Sequence, residues 1–147
     1  MSPSDHETRF NEFLTAAPAS LERSHIESVV GRFMASYPTR DVETRVSLFA
    51  ENLGFEDPIG NHLGSNKAQL RAFFESTNAT GVSLRFFPER LIVVGDEALQ
   101  VARLLIERGD ADATLLLLYV HFVFDADGLV TQVRVFYDAN CSSQPAS

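Results

Sequence analysis

The sequence predicts an α+β domain in which helices pack on one face of a curved antiparallel sheet. Three observations lead there. The first half of the chain is written in helical periods, and the second half holds four long runs of β-forming residues. Those runs are joined by tight-turn residues, as in a meander. With 147 residues the chain is long enough for one domain to bury its own core without a disulfide or metal.

Residues 1–23 read as a short helix or loose arm around Ala16-Ala17-Pro18-Ala19-Ser20. Ser24 and Glu27 then have capping-box spacing. Behind them Ile26, Val29, Val30, Phe33, Met34 and Tyr37 recur as one apolar helix face, which Pro38 ends. A second helix starts at Asp41 and buries Val42, Val46 and Phe49. The segment Asn52 to Pro58 reads as a short strand or turn. Gly64-Ser65 opens a third helix, with Leu70, Phe73 and Phe74 inward. The runs Val82–Val94 and Ala98–Glu107 meet at Gly95-Asp96, a hairpin signal. Thr114–Phe124 and Leu129–Tyr137 meet at Asp125-Ala126-Asp127-Gly128, a second one. No repeat, low-complexity segment or second domain interrupts this order. The organisation expected is an arm (1–23), one domain (24–138) and a short tail (139–147).

A net charge of −8 argues against nucleic acid or an anionic membrane surface as partner, since both require a basic footprint. The single cysteine, Cys141, has no internal partner, and the polar start Met1-Ser-Pro-Ser-Asp-His-Glu is unlike a signal peptide. Leu115 to Phe124, interrupted by His121, is too short to span a bilayer. These features predict a soluble, cytoplasmic protein. Twelve Phe and no Trp predict an aromatic interior.

Chemistry is concentrated in Phe55-Glu56-Asp57-Pro58-Ile59-Gly60, a carboxylate pair set against a turn. A carboxylate in apolar surroundings has its charged form disfavoured, which makes it a better base near neutral pH. Asp57 is therefore the first candidate for catalysis. No histidine pair has metal-ligand spacing, and Asp125-Ala-Asp-Gly is too short for a calcium loop. Nucleophile-elbow, phosphate-loop and dinucleotide fingerprints are absent, so neither metal nor cofactor is indicated.

The helix-one pattern, Ser47-Leu-Phe-Ala-Glu-Asn before Phe55-Glu-Asp-Pro-Ile-Gly, and Val120-His-Phe-Val-Phe-Asp-Ala-Asp-Gly together resemble the nuclear transport factor 2-like superfamily. The likeness, to its ketosteroid isomerase and SnoaL-like branch, runs from Ser24 to Asp138. It implies a cone-shaped barrel of strongly curved antiparallel sheet packed on three N-terminal helices, with an apolar pocket inside. It also implies Asp57 as the base that moves a proton beside a ketone. In that family a helix-one tyrosine and a protonated strand aspartic acid hold the resulting oxyanion. Here Phe33 and Val120 fall at those positions, and Phe49 and Phe74 fall where some members carry tyrosines. The base is kept and both usual donors are missing.

Strand alternation sends Leu118, Val120, Phe122 and Phe124 inward and Tyr119, His121 and Val123 outward. The expected lining is thus Phe33, Phe49, Phe74, Leu118, Val120 and Phe122. Tyr137 falls where the family often has a pocket aromatic and is the best remaining hydroxyl. Tyr37 could reach the pocket mouth. His62 could donate a proton or stabilise Asp57 as its anion. The function expected is proton transfer next to a carbonyl of an apolar, ring-bearing small molecule. The related aldol-type cyclisation of polyketides, or a non-catalytic apolar-ligand-binding module, are the alternatives. A homodimer through the open sheet face is expected by the same resemblance, with Tyr119, His121, Arg134 and Phe136 outward.

Overall fold

The computed structural model describes residues 4–145. Its elements run α1 (Asp5–Ala16), α2 (Arg23–Ala35), α3 (Val42–Ser47), β1 (Phe49–Glu56), β2 (His62–Asn66), α4 (Lys67–Ala79), β3 (Ser83–Val94), β4 (Glu97–Glu107), β5 (Thr114–Phe124) and β6 (Val130–Phe136), with a short β7 (Ser142–Ser143). The α+β architecture is the one predicted, a curved sheet covered by helices. The sheet runs β2-β1-β6-β5-β4-β3 and stays open, with β2 and β3 at its edges.

Four long strands sit close to where the sequence puts them because their signals are local. β3 and β4 pair across Gly95-Asp96, and β5 and β6 across the Asp125–Gly128 turn. In that turn Gly128 has φ +85, where a side chain would be strained, and a Cβ there would also collide with His25.

Three features differ from expectation. Residues 52–56 of the Asn52–Pro58 segment belong to an eight-residue strand, β1, which pairs in parallel with β6 through Phe55↔Val133 and Glu56↔Arg134, while Asp57 and Pro58 begin the loop after it. The sheet is therefore mixed rather than wholly antiparallel. Helix α2 starts one residue before the predicted cap. Glu22 occupies the N-cap without a side-chain bond, and Glu27 pairs with Arg23 at 3.1 Å instead. The capping box lies in the arm, where Ser4 and Glu7 cap α1 reciprocally. Helix α4 is capped by Asn66, whose side chain accepts from the Gln69 N–H at 2.9 Å, so it opens just beyond Gly64-Ser65.

The core lies between the helices and the concave sheet face and is built on phenylalanines. Phe33 meets Phe122 edge-on at 5.2 Å between centroids, and Phe55 meets Phe74 at 5.6 Å. The arm packs no buried side chain from α1. It is tied down after the helix, where Asp96 accepts from the Ser20 N–H at 2.9 Å, the Ser20 hydroxyl and the Leu21 N–H at 3.1 Å. Among the described residues no helix is long and apolar enough to cross a membrane.

Candidate functional site

Between the helices and the inner sheet face lies a cavity of about 180 Å³. Its walls are mainly apolar, with Phe33 from α2, Phe55 from β1, Phe73 and Phe74 from α4, and Leu118 and Val120 from β5 among them. The polar side chains that reach it are Tyr37, Arg45, Asp57, Thr77, Asn78 and Tyr137.

Asp57 is delivered by the end of β1. Pleat alternation splits the neighbouring carboxylates between opposite faces. Glu56 turns away and is bound by Arg134 at 2.8 Å and His62 at 3.2 Å. The Arg134 hydrogen bond above all keeps Glu56 below the usual carboxylate range. Asp57 turns toward the cavity. Its loop is fixed by backbone bonds from the Asp57 N–H to Asn61 O at 3.0 Å and from the Ile59 N–H to Val135 O at 3.0 Å. The Asn61 side-chain amide also donates to the Asp57 carbonyl at 2.9 Å. Gly60 permits the φ of +92 that closes this loop.

Burial raises the Asp57 pKa, and a hydrogen-bonding interaction with the Tyr137 hydroxyl partly opposes the rise. Tyr137, the residue after β6, is itself pushed up to about 12, first by burial and then by the neighbouring Asp57 charge. A carboxylate with a raised pKa, held beside a phenol in an apolar cavity, is suited to take a proton from a weak carbon acid.

The structure brings together Asp57, Tyr137, Phe33, Phe74, Leu118 and Val120 around this space. It separates three others from it. Phe49 and Phe122 are fully buried but lie in the core behind the wall, because the Phe33 ring stands against both of them. His62 lies on the edge strand β2 with its side chain 73% exposed, engaged with Glu56 rather than Asp57. Tyr37 does line the cavity, one helical turn beyond Phe33.

Sequence reading missed Arg45. It lies on α3 and is only 2% exposed. Its Nε donates to Ser36 Oγ at 2.9 Å and its Nη2 to Ser36 O at 3.0 Å. The guanidinium carbon sits 3.6 Å from the Tyr37 ring centroid and 4.4 Å from that of Phe74. A signal for it exists in the sequence. Val42, Arg45 and Val46 have the i, i+3, i+4 spacing of one helix face, so the arginine shares the buried face of its two apolar neighbours.

An open curved sheet, a helix-covered apolar cavity and one carboxylate lining it characterise the fold of this chain. The model of the SnoaL-like domain matches residues 30–133, and the chain belongs to that family. It is similar in structure to the epoxide hydrolase/cyclase-like enzyme SalBIII of pyran ring formation in polyether salinomycin, with TM-score 0.74 and 19% identity over 85% of this chain and 98% of that one. The Δ5-3-ketosteroid isomerase from Mycobacterium sp. is similar with TM-score 0.72 and 19% identity, over 81% of this chain and 97% of that one. RV0760c from Mycobacterium tuberculosis, in complex with estradiol-17beta-hemisuccinate, is similar with TM-score 0.72 and 19% identity, over 81% and 98%. At these identities the likeness establishes the shared fold.

Proposed function

We propose that this protein catalyses proton transfer next to a carbonyl in an apolar, ring-bearing small molecule, with Asp57 as the general base. The observation that carries this reading is a single inward carboxylate, its pKa raised by burial, facing the Tyr137 hydroxyl in an apolar cavity. In this reading Asp57 removes a proton from the carbon beside the carbonyl, electron density moves onto the oxygen, and Asp57 returns the proton at a second carbon. Tyr137 modulates the basicity of Asp57 and fixes its orientation. The fold's use by an isomerase and by a cyclase-like enzyme fits this class of chemistry. The cavity, at about 180 Å³, favours compounds of one or two rings, since pockets for drug-sized ligands run from roughly 300 Å³ upward.

The test is conversion of β,γ-unsaturated cyclic ketones of one, two and four rings to their conjugated isomers, followed by absorbance. The native protein is expected to exceed Asp57→Ala by about 10²–10⁴-fold, the usual contribution of a positioned base. Equal rates in the two proteins would remove the reading.

A second reading, a binding module without catalysis, is favoured by Phe33 and Val120, which put apolar surface where oxyanion donors stand in isomerases of this kind. An apolar ketone that binds tightly and is recovered unchanged, without deuterium uptake from heavy water, would decide for it. We also propose that the protein works in the cytoplasm as a homodimer. Tyr119 and Phe136 expose 42% and 44% of their surface on the outer sheet face, and a second copy would cover them.

A further inference from the structure

Among the described residues Arg45 is the one charged side chain that is buried, and nothing in the proton-transfer reading needs it. Burial lowers its pKa, yet guanidinium starts so high that it stays protonated. A buried cation is costly unless an anion answers it. Among the described residues Arg45 makes no ion pair with a carboxylate. The nearest acid, Asp41, is spent on its own helix, accepting from the Thr44 N–H at 3.0 Å and the Thr44 hydroxyl at 2.6 Å. Asp57 does not answer it either: no Arg45–Asp57 ion pair forms among the described residues. Tyr37, Arg45 and Asp57 all line one cavity.

The geometry shows where the unused donors open. Of the five N–H bonds of a guanidinium, Ser36 takes one from Nε and one from Nη2. Nη1 has no partner among the described residues, and no unpartnered side-chain nitrogen or oxygen there is sealed off. Since Arg45 lines the cavity and is otherwise enclosed, that edge of the fork faces the ligand space. The two aromatic rings on the guanidinium hold the planar fork in its orientation.

We propose that the ligand of this cavity is an apolar ring compound carrying a carboxylate, and that Arg45 binds that carboxylate. The inference rests on the cavity being the ligand site, and it narrows the substrate class from apolar carbonyl compounds to amphiphilic anions. A guanidinium is charged before any reaction begins. It therefore suits an anion that arrives with the ligand, rather than one that exists only after a proton has been removed. The ligand then spans the cavity, with its carboxylate at Arg45 and its acidic carbon at Asp57.

Binding of 2-naphthoate and 2-naphthamide, which share ring and shape and differ in charge, tests this by calorimetry near neutral pH. The native protein is expected to prefer the naphthoate by tenfold or more. Arg45→Met should lose that preference while still binding the amide, and Arg45→Lys should keep part of it, since lysine retains charge without the fork. A purely structural Arg45 would alter both affinities alike. Should Arg45→Met fail to fold, side-chain NMR of Arg45 in the native protein supplies the readout. Its Nη resonances should move with naphthoate and stay in place with naphthamide. Equal native affinities, or a preference that survives Arg45→Met, would overturn the carboxylate assignment and leave the Asp57 chemistry untouched. Binding of neither probe would overturn the cavity as a ligand site along with it. Loss of ketone isomerisation in Asp57→Ala, read separately, bears only on the base.

Discussion

At the scale of single residues, adjacent carboxylates have opposite fates because one strand presents them to opposite faces. Glu56 is ionised and paired outside, while Asp57 is held inside with a raised pKa. A folded-state pKa above the unfolded value means that the folded protein binds the proton more tightly. The resulting stability is fully present below the unfolded pKa and is lost as pH rises through the folded one. Asp57→Asn is therefore expected to raise Tm at pH 7, with a gain that fades toward about pH 3, where the native acid is neutral as well. Thermal scans at both pH values check this, and a lower Tm at pH 7 would contradict it. Tyr137→Phe removes the contact that holds Asp57 down, so the acid limb of its pH–rate profile should move to higher pH. An unmoved limb would show that the hydroxyl does not act on the carboxylate. Asp57 was legible in the sequence because its motif is compact. Arg45 shows in the sequence only as a member of an apolar helix face; its partners Ser36 and Tyr37 come from the turn after α2 and Phe74 from α4, so its surroundings emerge only on packing.

At the scale of elements, the hairpins were readable because turn residues and strand alternation are local signals. Cap choice was less so, since Ser4 and Ser24 both stand three residues before a glutamate and only one of them sits at a helix start. The arm is the element whose attachment is most exposed to test. Its hold depends on Asp96, whose carboxyl is kept below the usual range first by the Ser20 hydroxyl bond. A depressed folded pKa contributes stability above the unfolded pKa and loses it as pH falls through the folded one. Asp96→Ala is expected to speed hydrogen exchange at residues 4–22 while β4 and β5 stay protected. In the native protein, acidification through the Asp96 pKa should likewise lower the protection factors of the same residues, measured against the intrinsic exchange rate at each pH. Gly95→Ala should behave similarly, because a Cβ there would stand 2.9 Å from the Pro18 carbonyl oxygen. Unchanged exchange in the arm of Asp96→Ala would mean that other contacts hold it.

For the whole molecule, the core and the cavity wall are distinct layers of one aromatic cluster. Phe122 belongs to the inner layer, so Phe122→Ala is expected to cost about 3–5 kcal/mol by denaturant melt while leaving ligand affinity in the folded fraction unchanged. A large affinity change at constant fold would return Phe122 to the cavity wall. On the outer face, sedimentation should give twice the 16.3 kDa of one chain, and Phe136→Asp should halve it. The overall α+β class was readable because it needs only the order of helical and alternating segments. The β1–β6 pairing was not, since no local pattern announces a partner in the other half of the chain.

That pairing also sets a timetable. The Arg134–Glu56 contact beside it closes a separation of 78 residues, the kind of distant contact that slows folding. During synthesis the helices and the β3–β4 hairpin leave the ribosome first, while β1 still waits for its neighbour. The carboxylate at the end of β1 receives its fixed position, and Tyr137 beside it, only when the last long strand emerges. Chains truncated before residue 130 should therefore lack the enclosed Asp57–Tyr137 pair, because β6 and the residue after it supply one side of it.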